Sequence, residues 1–281
     1  MSAREFMTNV TILSIMAVAA LIEGAVPMFA RASWAPGRRA ANLSLTAVVF
    51  LLNWSLSSAA AILALALAWQ SPDVAGKLGL PMAVRIVAGI VVLDFSAGYL
   101  AHRALHMFPI LWRFHRVHHS DAFVDVTTTY RTHPVETVWR FLFVIVPVWM
   151  FGIPALAVVI QRLVSATNGI LEHGNIRLWR RLDRVLSLVW VTPNVHKIHH
   201  SRDLAETNSN YGNVLTIYDR ILGTFTSSDR AEAVVYGLDD ADSTRSSSFG
   251  GLLSMPFQPG VEHSLTEKSG SDRAYTDKIP A

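Results

Sequence analysis

The sequence predicts an all-α fold: a multi-spanning helical membrane protein with a cytoplasmic helical cap that carries histidine boxes. Three observations predict it. Of 281 residues, 51% are hydrophobic and only 16% are charged, where a water-soluble domain usually carries about 25%. The charges are also segregated, with ten in residues 1–100 and thirty-five in the remainder. Finally, ten of the eleven histidines fall between residues 102 and 200, in the more polar part. There is no cysteine, which excludes a disulfide scaffold and any cysteine-ligated zinc or iron–sulfur site. A net charge of +3 without a long basic run argues against nucleic acid as a partner.

The N-terminal helices come first. Apolar stretches run from about Thr8 to Ala30, Leu43 to Trp69 and Pro81 to Leu100. Each has about 20 residues or more, enough at ~1.5 Å rise to cross a ~30 Å hydrocarbon core. Glu23 and Asn53 interrupt the first two, and such residues in lipid face a protein interior. The first stretch follows Arg4 as a signal peptide would, but it is long for one and two more spans follow, so it reads as a span. Arg31, Arg38 and Arg39 lie between spans one and two, against Lys77 between two and three. Positive-inside counting then puts the first loop in the cytoplasm, and span three returns the chain there just before His102. Trp34, Trp69 and Trp139 fall near the boundaries, where aromatic belts sit. A fourth apolar region, Trp139 to Val164, carries Pro147, Gly152 and Pro154, which would kink or break a helix, giving either one kinked span or a hairpin of two shorter helices. Histidines lie on both sides of it, so an even number of crossings is needed to build one site. A hairpin of two shorter helices satisfies that.

Eight histidines sit in three tight groups: His102 and His106; His115, His118 and His119; His196, His199 and His200. The first is an i,i+4 pair. The other two share the pattern H-x-x-H-H, and positions i, i+3 and i+4 fall within about 100° of arc on a helix. One such pattern is expected by chance only ~0.02 times in a chain of this composition, and two on the order of 10⁻⁴ times. Three imidazoles on one helical face converge on a metal. Pro109 breaks a helix after the first pair and suits the first turn of the next. Thr192-Pro193 reads as an N-cap with proline at N1, opening the helix that carries the third group. His263, in the polar tail, reads as solvated and inert, and spacing alone leaves His133 and His173 undecided. Eight or nine imidazoles exceed what one ion takes. Two ions with four or five nitrogens each, plus an open position for dioxygen, fit the count, and imidazole suits iron and zinc alike.

These motifs resemble the fatty acid hydroxylase superfamily, which includes the sterol desaturases. The resemblance extends past the boxes to Arg131-Thr-His133-Pro-Val-Glu136, to Glu172-His173-Gly-Asn175-Ile-Arg177, to Glu206–Asn213 and to Tyr218–Phe225, with looser likeness at Tyr236–Asp239 and Gly251–Phe257. It implies membrane helices over residues 1–90, a hydroxylase/desaturase-like domain over 91–228 and a polar tail over 229–281. It also implies a di-iron, dioxygen-dependent oxidoreductase that hydroxylates or desaturates a lipid, with iron replaceable by zinc on isolation. His102, His106, His115, His118, His119, His196, His199 and His200 would be ligands, with His173 a ninth. His133 matches a family position either as a ligand or beside one. Where some members carry paired histidines before the third box, this chain has Glu172-His173, and Asn175 is a candidate to hold a water there.

No haem module, dinucleotide-binding glycine signature or cysteine is present, so electrons would come from a separate ferredoxin- or cytochrome-like donor. The substrate would come from the bilayer of what reads as a bacterial inner membrane. Asp94 and Asp121 each read either as a carboxylate behind a ligand imidazole or as a locally satisfied acid. Arg113, Arg116, Lys197 and Arg202 flank the boxes and read as facing headgroups or water. The rival class is a histidine-rich metal transporter or metal-binding protein. It expects polar ligands at mid-membrane and internal repeats, whereas these boxes lie beyond the span ends.

Overall fold

The computed structural model describes residues 3–29, 37–67, 72–242 and 244–258. Trp34, Trp69, His263 and the tail beyond Pro259 lie outside the described residues. Four helices are long and apolar enough to cross a membrane: Phe6–Ala25, Arg38–Ala59, Met82–Met107 and Pro134–Phe151. They belong to α1 (Ala3–Ala25), α2 (Arg38–Leu67), the run formed by α4 (Met82–Leu93), a π-helical turn (Asp94–Leu100) and α5 (Ala101–Met107), and α7 (Pro134–Phe151). The short α3 (Val74–Lys77) precedes α4, and α6 (Pro109–His119) follows α5. α8 (Ala155–His173) packs on α4 and α1 in the bundle, and the cap is built after it by α9 (Arg180–Leu186), α10 (Pro193–His199), α11 (Leu204–Thr207), α12 (Ile217–Ile221) and α13 (Phe249–Ser254). Among the described residues no strand forms, only isolated bridges joining Pro27 to Ile176 and Trp190 to Leu215.

Local chemistry sets the helix ends. Phe108 is extended (ψ 117) and Pro109 occupies the first turn of α6, so the chain turns between the first two histidine groups as proline at N1 requires. Thr192 caps α10 by accepting from the Val195 amide at 3.2 Å, with Pro193 at N1. The fourth apolar region is a hairpin, α7 then α8. Pro147 does not break it: α7 runs through Pro147 and ends at Gly152 in the left-handed region (φ 61), followed by Pro154. A side chain at Gly152 would collide with the Asp73 carboxylate. Arg85 donates both to Asp73 Oδ1 (3.0 Å) and to Gly152 O (2.8 Å), tying the hairpin tip to the α3–α4 connection.

The long helices therefore alternate in direction, and one end of the bundle collects the end of α1, the start of α2, α5, the start of α7 and the end of α8. Apolar packing does not drive helix association in lipid, so buried polar groups decide which faces meet. Glu23, 2% exposed, accepts from the amides of Val126 (3.0 Å) and Asn175 (3.1 Å). Asn42, at the start of α2, donates to Asp121 and Thr127 and accepts from Arg131 at 2.7 Å. Arg131 is fully buried and also donates to Val117 O, Ser120 Oγ and Ser246 O. Removing it would take a donor from each of these four groups, and each acceptor left buried without a partner costs about 1–3 kcal/mol.

Several side chains depart from their sequence reading for this reason. Asp121 accepts from Arg38, Asn42 and Thr128, so it is an anchor for α2 and stands behind no imidazole. Arg38 also bonds Asp125. Asp94 is buried, and neither of its carboxylate oxygens has a hydrogen-bond partner among the described residues, so it fits neither reading. Arg116 is 2% exposed and pairs with Asp240 at 2.6 Å. Lys197 is fully buried and donates to Gly174 O at 2.9 Å; burial pulls its ammonium down to about 7. Neither faces headgroups: each fastens two cap segments together. Asn175 is committed elsewhere. Its side chain brackets Phe29, accepting from its amide and donating to its carbonyl, both at 2.9 Å. Residues 245–257, expected within a polar tail, pack Leu252 and Met255 against Ala41, Leu45 and Val117.

Candidate metal centre

Two groups of buried imidazoles form at the end of the bundle where the chain ends of α1, α2, α7 and α8 gather. One holds His102, His106, His115, His119 and His199; the other holds His118, His173, His196 and His200. Within each group the candidate ligand atoms lie within 4.8 Å of one another. All nine side chains are 5% exposed or less. His133 joins neither group: its Nδ1 accepts from the Val135 amide at 3.2 Å as the N-cap of α7, and its ring packs on Phe114 and Phe257.

The boxes do not each serve one ion, as a single helical face would imply. The i,i+4 pairs stay together, 102 with 106, 115 with 119, and 196 with 200. His118 and His199, at i+3, cross to the opposite group. The reason is angular: i and i+4 differ by about 40° around a helix, while i+3 lies about 60° to the other side. Two helices facing each other with the same pattern thus exchange one histidine each. The groups abut, with the rings of His119 and His200 stacked at 4.7 Å. Moreover, His102 and His106 continue the same helical run that spans from Met82, so they do not lie on a separate element beyond a span end.

The tautomers test whether a cation fits. His102 Nδ1 faces Tyr211 O at 2.9 Å, His115 Nδ1 faces Glu136 Oε2 at 3.0 Å, and His199 Nδ1 faces Ser209 O at 2.7 Å. A carbonyl or carboxylate only accepts, so each Nδ1 carries the hydrogen and each Nε2 the lone pair. Yet His102 Nε2 stands 3.0 Å from His115 Nε2 and 3.1 Å from His199 Nε2. Lone pairs opposed at that distance repel, and a cation between them reverses the sign. An ion about 2.1 Å from two nitrogens at a right angle sets them ~3.0 Å apart. In the second group His173 Nε2 meets three partners, His118 (3.0 Å), His196 (3.0 Å) and His200 (3.2 Å), more than one ring nitrogen can serve by hydrogen bonding. Burial pushes the imidazole of His199 down to about 3 and those of His118, His196 and His200 well below their ordinary value. Neutral imidazole is the form that binds metal. The donor set therefore fits two metal ions.

Residues that the histidine pattern did not mark hold these rings. Glu136 lies one turn into α7, fully buried, and also accepts from Arg140 Nε at 2.8 Å. In the sequence it ends the Arg131–Glu136 segment of the family resemblance, with no role assigned to it. The loop after α11 presents Ser209 O and Tyr211 O, with Asn208 Oδ1 at 3.4 Å from His106 Nδ1. That loop is shaped by Asn210 in the left-handed region (φ 54), whose side chain spans Val195 O and the Thr226 amide, and by Asp219, which accepts from the amides of Tyr211 and Gly212. On the second group, Glu172 Oε1 lies 3.8 Å from His196 Nε2.

The fold and these two clusters define a class: a helical membrane protein with a buried polyhistidine centre able to hold two metal ions. Residues 86–224 match the fatty acid hydroxylase family, and the chain belongs to that superfamily. It is 37% identical over 158 residues to an ornithine lipid hydroxylase of Rhizobium tropici, covering 56% of this chain and 46% of that one. Alkylglycerol monooxygenases are also similar. The Caenorhabditis elegans protein is 28% identical over 52% of this chain and 28% of its own, and the Homo sapiens protein 32% identical over 52% and 31%. The chain thus spans less than half the length of these relatives. No solved structure matches it.

Proposed function

We propose that this protein is a membrane-bound, dioxygen-dependent di-iron oxidoreductase that hydroxylates a C–H bond of a lipid. Desaturation, the other outcome within the superfamily, is less favoured because the similar proteins are hydroxylases and monooxygenases by name. The observation that carries the reading is the convergence of lone-pair nitrogens from His102, His115 and His199. His102, His106, His115, His119 and His199 would hold one ion, and His118, His173, His196 and His200 the other. Iron held there would supply the redox chemistry by which dioxygen, two electrons and two protons turn C–H into C–OH and release one water. The protein's own part is to orient the nitrogens through Glu136 and the 208–211 loop, and to bury them so that water is excluded. The names of the similar proteins point to lipids with a polar headgroup, an ornithine lipid or an alkylglycerol, entering from the bilayer. Electrons come from a separate ferredoxin- or cytochrome-like donor.

Arg38, Arg39, Arg103 and Arg113 belong to the histidine end of the bundle, against Lys77 and Arg85 at the other, which supports a cytoplasmic centre. The Rhizobium relative, a bacterial protein, is in keeping with a bacterial membrane. Both clusters lie at one end of the helices, whereas a transporter site is expected at mid-membrane. Elemental analysis of anaerobically purified protein tests the proposal, with close to two irons per chain expected, alongside turnover of an ornithine lipid or alkylglycerol in the presence of a reductant. One ion or none per chain, or two ions with no lipid oxidised under any donor, overturns it.

A further inference from the structure

The segment from Arg177 to Val189 combines two properties that water-facing surfaces avoid together. Arg177, Arg180, Arg181 and Arg184 line a shallow depression of about 410 Å³ with Trp179 and Glu232. Between and beyond these arginines, Trp179 (65% exposed), Leu182, Val185, Leu188 and Val189 point outward. Two arginines have exposed carboxylate neighbours, Arg180 with Glu232 at 3.2 Å and Arg184 with Asp229 at 3.9 Å. The segment's own acid, Asp183, is buried under Thr192 and Ser228. The surface charge of the depression is therefore net positive.

Neighbouring contacts say what this face meets. Arg220 and Thr216 donate to Ser187 O at 2.8 and 2.9 Å, and Thr216 N donates to Val189 O at 2.9 Å, so α12 continues the same face. Ile217, Ile221 and Leu222 of that region also point outward. The inner side of α12 rests on a membrane-spanning helix: Tyr218 donates to Val91 O at 3.2 Å, and its ring lies 5.1 Å from that of Phe95. The outer side is thus level with the span and continuous with the lipid-facing surface of the bundle. Exposed apolar side chains and guanidinium groups side by side on one short stretch are the composition of an interfacial helix.

We infer that α9 and α12 form a shoulder seated in the bilayer interface, where Arg177, Arg180, Arg181 and Arg184 bind the headgroups of anionic phospholipids. An acidic soluble donor is the lesser fit, because it would leave the Leu182–Val189 side chains in water. The site rests on the membrane reading alone and is independent of the chemistry at the histidines.

The test uses the full chain, purified in mixed micelles of phosphatidylcholine with a minority of phosphatidylglycerol, and measures by mass spectrometry the two lipids retained per chain. Retained phosphatidylglycerol should exceed its bulk share by about fivefold or more, on the scale of one headgroup contact per arginine. R177Q/R180Q/R181Q/R184Q should return the ratio to bulk while metal content and thermal midpoint stay at wild-type values. Should that variant misfold, molar NaCl on the wild type is expected to erase the enrichment, since exposed charge contacts are screened. Wild-type retention at the bulk ratio, enrichment that persists in the variant or in salt, or loss in the variant of binding to an acidic ferredoxin with lipid enrichment intact, would each overturn the assignment.

Discussion

The two histidine clusters differ in what lies behind them. In the five-histidine cluster, His102, His115 and His199 are held from the rear by Tyr211 O, Glu136 and Ser209 O, and His106 more loosely by Asn208. In the four-histidine cluster His173 bonds Gly169 O at 2.6 Å, while the Nδ1 atoms of His118, His196 and His200 are buried with no hydrogen-bond partner among the described residues. The protein thus sets tautomer and ring angle at one centre before any ion arrives. At the other, ring packing does most of that work, through contacts such as His118 on His200 at 4.6 Å and His173 on His196 at 4.3 Å. One centre is preorganised and its neighbour is compliant, though the same two helices feed both.

The largest effect expected is from removing a ligand. His118→Ala and His199→Ala should each abolish turnover, and metal analysis should find each variant short of iron, with the His199 variant losing more because His199 is braced. Equal, full occupancy in both would break the comparison. Next, a chelator titrated into the metal-loaded protein should strip the ions in two phases, and His118→Ala should lack the first. A single phase would mean that the centres are equally braced. Glu136→Ala should weaken binding at the five-histidine centre by about 10–100-fold, as removal of an outer hydrogen-bond partner does elsewhere. Glu136→Gln, which keeps an acceptor for His115, should recover part of it in a metal-binding isotherm. The smallest change is Asn208→Ala, expected below tenfold because its contact is long.

Much of this was legible before any coordinates. Pro109 and Thr192-Pro193 place the helix starts, and the i,i+4 pair with the two H-x-x-H-H repeats marks eight of the nine clustered histidines. The first three long helices were readable from apolar length, and the hairpin from the histidines on both sides of it. The sharing of each box between two centres was not, because it depends on how two helices face each other, and spacing along one helix is silent on that. Glu136 and the carbonyls of Ser209 and Tyr211 were hidden for a related reason: a backbone acceptor has no sequence identity, and a glutamate in a first helical turn has a sufficient local explanation. Arg116 and Lys197 misled because flanking charges usually are solvated; here Arg116 is buried beneath its pair with Asp240 and Lys197 is buried against Gly174 O. Pro147 misled because lipid-exposed helices tolerate proline where neighbours satisfy the freed carbonyl.

The π-helical turn at Asp94–Leu100 has a consequence for how the gene can change length. Elsewhere in this run, losing one codon would swing everything downstream by about 100° and turn His102 and His106 away from their partners. A π turn already contains one residue more than an α-helix needs, so the lesion heals there by reverting to regular winding. Deleting Ala97 should leave iron binding largely intact, whereas deleting Ala104, between the two histidines, should eliminate it. Equal loss in both would mean that the wide turn is no reservoir. If the difference is found, this short stretch is where lineages could gain or shed a residue while the centre stays in register.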